Sequence, residues 1–390
     1  MGSPFHQRPT RAEIDLDCIE HNLNELCRLL GPDVAIMAVV KADGYGHGAV
    51  EVARVVLEAG ASWLGVALID EGAALRRAGI DAPILLLGHT DPADSPQLLE
   101  YRLTPTVCDL ETAGLFSRYF SSRSRRWPVH LKIDTGMGRL GVSPAESIEL
   151  MDVLSRLPGL ELEGVFTHLS SADDEAGAAY TAEQLSLFES ALAGAGERGV
   201  HPPLCHAANS AAALLYPQSR YNLVRIGIAL YGYYPSPWVQ QKAAVKLEPA
   251  MLLKSKISFL KKVPPQTPLS YGRTFHTAKD TVVATVSAGY ADGYQRALSN
   301  RGEVLVRGRR APVVGRICMD QLMIDVSGIE GAAPGDEVIL YGGRGPEHIA
   351  VEEVAALLGT INYELLCNVG TRVPRSHIRT RRAGTEQENR

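Results

Sequence analysis

The sequence predicts an α/β chain in two parts, an amino-terminal (β/α)8 barrel of TIM type followed by a mostly-β carboxyl-terminal domain. Three observations carry that expectation. The chain has 390 residues, beyond the length at which a single hydrophobic core usually keeps growing. Between residues 34 and 232, eight short apolar or β-branched runs alternate with segments of helical period. From Leu247 on, strand-like runs follow one another with only Pro and Gly turn signals between them.

The eight runs are "VAIMAVVKA", "WLGVAL", "ILLLG", "LTPTVC", "VHLKID", "LEGVFTHL", "LCHAAN" and "NLVRIGIALYG". Several are apolar throughout, as parallel strands covered on both faces require. Helix-like segments such as "HGAVEVARVVLEAG", "EGAALRRAG" and "TAEQLSLFESALAGAGERG" lie between them, each closing on a glycine. This alternation fits a closed barrel better than an open doubly wound sheet. The later runs are "MLLKSKISFL", "TVVATVSAGY", "EVLVRGRRAPVVGRICM", "QLMIDV" and "DEVILYG", with one amphipathic segment, "HIAVEEVAALLGTINYELLCNV", near the end. The expected boundaries are 10–246 for the barrel, 247–380 for the β domain and 381–390 for a polar, disordered tail.

Composition excludes several classes. A formal net charge of -5 leaves no basic footprint for general nucleic-acid binding. No apolar stretch reaches the length of a membrane span, and the amino terminus lacks the order of a secretory signal, so a cytoplasmic protein is expected. Six cysteines lie far apart without a CxxC pair. That predicts reduced, mostly buried thiols and no metal site rather than a disulfide framework or a zinc knuckle.

In a barrel, chemistry sits at the carboxyl ends of the strands. Lys41, His168 and Ser210 fall there, and Arg139 lies in the loop after "VHLKID". Position alone favours a structural Lys41, reaching solvent or paired with a carboxylate. Its surroundings, "AVVKADGYGHGAV", point elsewhere. Gly44, Gly46 and Gly48 allow close backbone approach, Tyr45 offers a hydroxyl, and the glycines lead into a helix amino terminus suited to phosphate. A buried lysine of lowered pKa is also what Schiff-base chemistry requires. Neither GxxxxGK nor a GxGxxG after the first strand is present, so a phosphorylated aldehyde cofactor fits better than a nucleotide.

The stretch "AVVKADGYGHG" resembles the pyridoxal-phosphate attachment motif of the alanine racemase family. The likeness continues in the family's order through "LKIDTGMGRLG" (131 to 141), "FTHLSSAD" (166 to 173), "NS" (209 to 210), "RIGIALYG" (225 to 232), "SYGRTF" (270 to 275), "SAGYADGY" (287 to 294), "GRICMDQ" (315 to 321) and "GTINYE" (359 to 364). One departure is Gly44, which stands where alanine is common in the family.

The resemblance implies that Lys41 holds pyridoxal 5'-phosphate as an internal aldimine. It also implies that Tyr45, Ser210, the backbone amides of Gly227 and Ile228, and Tyr363 bind the phosphate. By itself, Ser210 reads equally well as a cap of the following "AAALLY" helix. Arg225, which alone would read as a paired structural charge, is implied to face the pyridine nitrogen. There a permanent cation disfavours ring protonation and favours return of a proton to Cα over transamination.

Racemisation needs a base and an acid on opposite faces of Cα. The resemblance assigns these to Lys41, acting on the D-isomer, and Tyr290, acting on the L-isomer, with His168 linking Tyr290 to Arg225. Alone, Tyr290 would read as a strand aromatic. Arg139 and the backbone amide of Met319 are implied to hold the substrate carboxylate. Lys132 matches a position that is often carbamylated, with pairing to Asp134 or a glutamate as the alternative.

Tyr290 and Met319 are implied to serve the other subunit's site in a head-to-tail homodimer, so that a monomer is inactive. Tyr271 and Asp173 are implied near the entrance. The implied activity is interconversion of L-alanine and D-alanine, supplying D-alanine for peptidoglycan precursors. Three rivals share parts of this pattern. Decarboxylases of the ornithine or diaminopimelate type put an acid at the ring nitrogen, where this chain has Arg225. Serine or broad-specificity racemases would keep the same chemistry. Single-barrel pyridoxal-phosphate carriers lack a β domain.

Overall fold

The computed structural model describes residues 8–379 apart from 345 and 346, and the expected tail at 381–390 lies outside the described residues. The chain divides into two compact units. The barrel unit comprises Ile19–Gly44 and Ala49–Leu247; the β unit takes in the chain up to Cys18, Tyr45–Gly48, and everything from Glu248 on. The first strand, β1 (Arg11–Asp15), therefore falls in the β unit, and the barrel begins later than residue 10.

All eight expected runs form barrel strands. They are β2 (Ala35–Val39), β3 (Trp63–Val66), β4 (Ile84–His89), β5 (Thr104–Val107), β6 (Trp127–Lys132), β7 (Leu160–Phe166), β8 (Leu204–His206) and β9 (Leu223–Ile226). They pair in parallel in the order β9-β2-β3-β4-β5-β6-β7-β8. The ring closes where the Arg225 amide donates to the Ala208 carbonyl at 3.0 Å. β3, β5 and β9 are buried at every position, as strands covered on both faces are, although β5 carries two threonines and β9 carries Arg225. Met37, Trp63, Leu85, Phe166 and Leu223 form an apolar cluster. His206 stacks on Phe166 at 4.7 Å and His130 tilts against Trp63 at 5.3 Å, so the same core also carries polar rings.

The β unit is organised around β10 (Met251–Val263), a strand of 13 residues. The other strands are β11 (Pro268–Leu269), β12 (Phe275–His276), β13 (Thr281–Val286), β14 (Glu303–Val306), β15 (Arg309–Pro312), β16 (Leu322–Asp325), β17 (Glu337–Gly342) and β18 (Arg375–Ile378). The main sheet runs β15-β14-β17-β10-β1-β18, and β13 pairs with both β10 and β16. Register shifts at Leu253/Lys254 and Ile257/Phe259 let β10 pair with β17 early and with β13 late. The placement of β1 has an electrostatic reason. The buried Lys254 amine on β10 lies 2.7 Å from Glu13 on β1 and 2.8 Å from Glu337 on β17, so one cation joins three adjacent strands.

The expected amphipathic segment is two helices, Val351–Leu358 and Asn362–Cys367, broken at Gly359, which takes a left-handed conformation (φ 70°). All six cysteines are free, but only Cys18 is fully buried. No helix among the described residues is long and apolar enough to cross a membrane.

Candidate active site

Lys41 lies two residues past the end of β2 and is half-buried. The chain behind it turns through left-handed positions at Ala42, Asp43, Gly44 and Tyr45. Glu71 braces that turn, accepting from the Ala42 amide at 2.6 Å and the Ala67 amide at 2.7 Å. The amino end of the helix that follows, expected to suit phosphate, is met by a side chain of the turn itself. The Asp43 carboxylate accepts from the Ala49 amide at 2.9 Å and so occupies the amino end of helix Ala49–Glu58.

Gly46 and Gly48 serve packing inside the β unit. A Cβ at Gly46 (φ 80°) would lie 2.2 Å from the Leu366 carbonyl oxygen, and one at Gly48 (φ 92°) 2.7 Å from His377 Nε2. Tyr45, also in the β unit, is buried with its ring 6.1 Å from that of Tyr363, and burial pushes its hydroxyl well above the usual tyrosine range.

At the end of β8 the two readings of Ser210 separate. Asn209 is the helix cap, accepting from the Ala212 amide at 3.1 Å. The Ser210 hydroxyl instead accepts from the amides of Gly227 at 3.0 Å and Ala229 at 3.4 Å. Ile228 opens the short turn Ile228–Tyr231 after β9, whose first N–H groups have no partner within the turn.

Arg225 lies on β9 inside the barrel, 4% exposed. Its guanidinium donates to the carbonyls of Thr167 (2.8 Å), His206 (2.9 Å) and Ala207 (2.9 Å), and reaches His206 Nδ1 at 3.0 Å and His168 Nδ1 at 3.3 Å. Among the described residues no carboxylate pairs with it, and burial pulls its pKa down to about 9. Arginine only donates, so both imidazole Nδ1 atoms must accept. That makes His168 and His206 neutral on this side. Burial first, then the charge of Arg225, pushes both well below the usual histidine range.

The same logic carries on through the core. His206 Nε2–H then donates to His130 Nδ1 at 2.9 Å, and His130 Nε2 faces the Glu163 carboxylate at 3.4 Å. His130, His206 and Glu163 were not among the expected site residues. The signal available was a polar residue interrupting each of three apolar runs.

Lys132 ends β6, 6% exposed, with its amine 4.5 Å over the Phe166 ring. Burial, then Arg225 and Arg139, pushes its ammonium well below the usual lysine range. The expected alternative of an Asp134 partner does not hold. Both Lys132 and Asp134 belong to the same strand end, but the Asp134 carboxylate accepts from the amides of Gly136 (3.0 Å), Met137 (2.9 Å) and Gly138 (3.0 Å). Arg139 is exposed in the loop those bonds shape.

Tyr290 and Met319 come together within the β unit. The Tyr290 amide donates to the Cys318 carbonyl at 3.0 Å and the Ala291 amide to the Met319 carbonyl at 3.1 Å. Their side chains are 40% and 52% exposed, although their backbones are firmly held. Tyr271 (71%) and Asp173 are also exposed. The barrel unit thus gathers Lys41, Lys132, Arg139, His168, Ser210, Arg225, Gly227 and Ile228, whereas Tyr45, Tyr363, Tyr290 and Met319 belong to the β unit.

A family model described as the alanine racemase N-terminal domain matches residues 14–235, and one described as the alanine racemase C-terminal domain matches residues 250–377. The chain belongs to the alanine racemase family. An alanine racemase of Desulforamulus reducens is 48% identical over 95% of this chain and 100% of its own length. The structure of alanine racemase from Clostridium difficile 630 superposes with a TM-score of 0.91 at 41% identity, covering 96% of this chain and 97% of that one. The Bacillus anthracis alanine racemase with bound L-Ala-P gives a TM-score of 0.90 at 42% identity, with 97% of each chain covered.

The donor set of this alanine racemase family member fits pyridoxal 5'-phosphate. The Ser210 hydroxyl, which accepts from the Gly227 amide at 3.0 Å, keeps its own O–H to donate to a phosphate oxygen. A buried guanidinium without a carboxylate is available for a neutral ring nitrogen. Lys41 supplies the amine at the end of the strand beside it, since β2 pairs with β9.

Proposed function

We propose that the chain interconverts L-alanine and D-alanine with pyridoxal 5'-phosphate as cofactor, supplying D-alanine for peptidoglycan precursors. The observation that carries this reading is Arg225, a buried arginine satisfied by carbonyls and neutral imidazoles. A decarboxylase of this barrel type needs an acid at that position.

Lys41 would hold the cofactor's aldehyde carbon, and Ser210 with the Gly227 and Ile228 amides its phosphate. Tyr45 and Tyr363 are the two further phosphate ligands that the resemblance names. When bound, the cofactor draws electron density from Cα and so makes the Cα proton removable. Arg225 would face the ring nitrogen and, by its charge, disfavour protonation there.

Lys41 takes the proton from D-alanine and Tyr290 gives one to the opposite face; for L-alanine the roles reverse. His168, with Nδ1 accepting from Arg225, keeps its Nε2–H free to donate and orient Tyr290. Arg139 and the Met319 amide hold the substrate carboxylate. Lys132 is a buried amine whose ammonium form burial disfavours; its free-base form would react with CO2, forming a carbamate and releasing a proton, and the resulting anion would orient Arg139.

A homodimer in which each chain lends Tyr290 and Met319 to its partner's site is supported by the exposure of both side chains. The test is to incubate the holoenzyme with L-alanine and follow circular dichroism, with serine, lysine and arginine in parallel. Loss of signal with alanine is expected. A yellow protein that leaves L-alanine unchanged rejects the reading, and faster turnover of serine would assign the broader racemase class.

A further inference from the structure

We propose that Asp292 and Arg372 are positioning residues that fix Tyr290 and the Met319 peptide in one register; this rests on the reading of Tyr290 as a base and of the Met319 amide as a substrate contact. Asp292 ends the short turn Tyr290–Asp292 and is fully buried. Its Oδ2 accepts from the amide of Gly289, the residue before Tyr290, at 2.9 Å. Its Oδ1 takes Arg372 Nε at 2.9 Å and Arg8 Nη2 at 2.6 Å.

Arg372 spreads its remaining nitrogens over the other segment. Nη2 donates to the Met319 carbonyl at 3.3 Å, and Nη1 lies 2.7 Å from Asp320. One guanidinium therefore touches both the turn that carries Tyr290 and the peptide that follows Met319. The planar fork of arginine suits such a bridge, because its three nitrogens each face a different partner.

Backbone packing leaves these segments little freedom. A Cβ at Gly289 would lie 2.4 Å from the Met319 carbonyl oxygen, one at Gly370 2.5 Å from that of Ala291, and one at Gly293 2.6 Å from that of Asn368. Segments 289–293, 318–320 and 368–372 thus meet backbone to backbone, with the carboxylate of Asp292 at their junction. The side chains of Tyr290 and Met319 project outward, 40% and 52% exposed. An exposed tyrosine needs no such support for stability. A base does, because a misplacement of about 1 Å can cost roughly a hundredfold in rate.

The experiment uses the holoenzyme carrying Arg372→Met, which leaves Arg8 on Asp292, with Asp292→Asn as a second variant and Tyr290→Phe in parallel. Racemisation should fall roughly tenfold to a hundredfold in the first two. With D-alanine in D2O, Lys41 still removes and returns the Cα hydrogen, so deuterium incorporation with retention should persist and the ratio of exchange to inversion should rise. In the cofactor-free chain, amide hydrogen exchange should speed up in 289–293 and 318–320 while β10 keeps its protection. Parent-like racemisation and an unchanged exchange ratio in a folded Arg372→Met protein, beside an inactive Tyr290→Phe, would overturn the clamp alone. Uniform loosening of the β unit, β10 included, would overturn it as well. Full activity of Tyr290→Phe would instead overturn the base assignment beneath it.

Discussion

Arg225 in the barrel and Arg372 in the β unit are satisfied in opposite ways. Arg225 is buried among carbonyls and imidazole nitrogens, and burial pulls its pKa down to about 9. Arg372 is partly exposed, pairs with Asp292 and Asp320, and is pushed above the usual arginine range by those two carboxylates. A cation meant to act on a reacting group is more useful without a counter-ion, since a carboxylate would cancel its field. A cation meant to hold backbone segments gains from full pairing. The difference separates a charge that acts from a charge that holds.

The largest effect should come from the two bases, which the comparison assigns to different units. Lys41→Ala and Tyr290→Phe should each lose on the order of 10²- to 10⁴-fold in racemisation while staying folded. If Tyr290 serves a partner's Lys41, mixing and re-equilibrating the two inactive proteins should restore roughly a quarter of the activity, because half the dimers then hold one intact site. Polarimetry reads the outcome. No recovery from a confirmed mixture would place both bases in one chain.

Acid should strike the barrel next. His130, His168 and His206 are all held below the usual histidine range, chiefly by burial and also by the charge of Arg225. Below about pH 6.5 the unfolded chain binds protons that the folded barrel does not, so stability falls as pH falls. The slope should approach about 1.4 kcal/mol per pH unit for each histidine. The protein's three tryptophans, Trp63, Trp127 and Trp238, all lie in the barrel unit. Urea unfolding followed by tryptophan fluorescence between pH 8 and pH 5 therefore reports that unit alone. A midpoint that does not move with pH would show that the imidazoles are charged and that the tautomers derived from Arg225 are wrong.

Removing the acting cation is the smaller structural insult. Arg225→Met takes the donor from the carbonyls of Thr167, His206 and Ala207. It should cost roughly 1–3 kcal/mol even if only one of them stays unpaired after relaxation. Racemisation should be lost as well. The tryptophan unfolding midpoint measures the first effect. An unchanged midpoint would mean that water replaces the guanidinium and that its hydrogen bonds are dispensable to the fold.

The barrel was legible in the sequence because several of its runs are apolar throughout, as burial on both faces requires, and because all eight alternate with helical segments. β1 was not, because "RAEID" is short and its partners β10 and β18 lie far along the chain. Gly46 and Gly48 were visible as positions needing close approach, but what approaches them is the backbone at Leu366 and the ring of His377, which only the fold brings near. Lys41, Ser210 and Arg225 were legible through their motifs. Asp292 sits inside one of those motifs, "SAGYADGY", yet its role depends on Arg8 and Arg372 arriving from the two ends of the chain. The chain from Arg225 through His206 and His130 to Glu163 shared that obstacle. Its members sit on separate strands, and no spacing rule connects them.

Holding and acting also divide between neutral neighbours, at Asn209 and Ser210, and there the expected effect is smallest. Asn209 caps helix Ser210–Leu215 through the Ala212 amide, whereas Ser210 points its hydroxyl at the Gly227 amide. Asn209→Ala should therefore cost about 1 kcal/mol of barrel stability, the usual price of a lost cap. Its effect on cofactor affinity should be slight. Ser210→Ala should do the reverse, since it removes one phosphate donor but leaves the cap in place. Tryptophan-detected unfolding and titration of the cofactor-free chain with pyridoxal 5'-phosphate, followed by visible absorbance, separate the two. If Ser210→Ala lowers stability as much as Asn209→Ala and binds the cofactor with parent affinity, then Ser210 belongs with the groups that hold, and the phosphate must rest on the other proposed ligands, the Gly227 and Ile228 amides with Tyr45 and Tyr363.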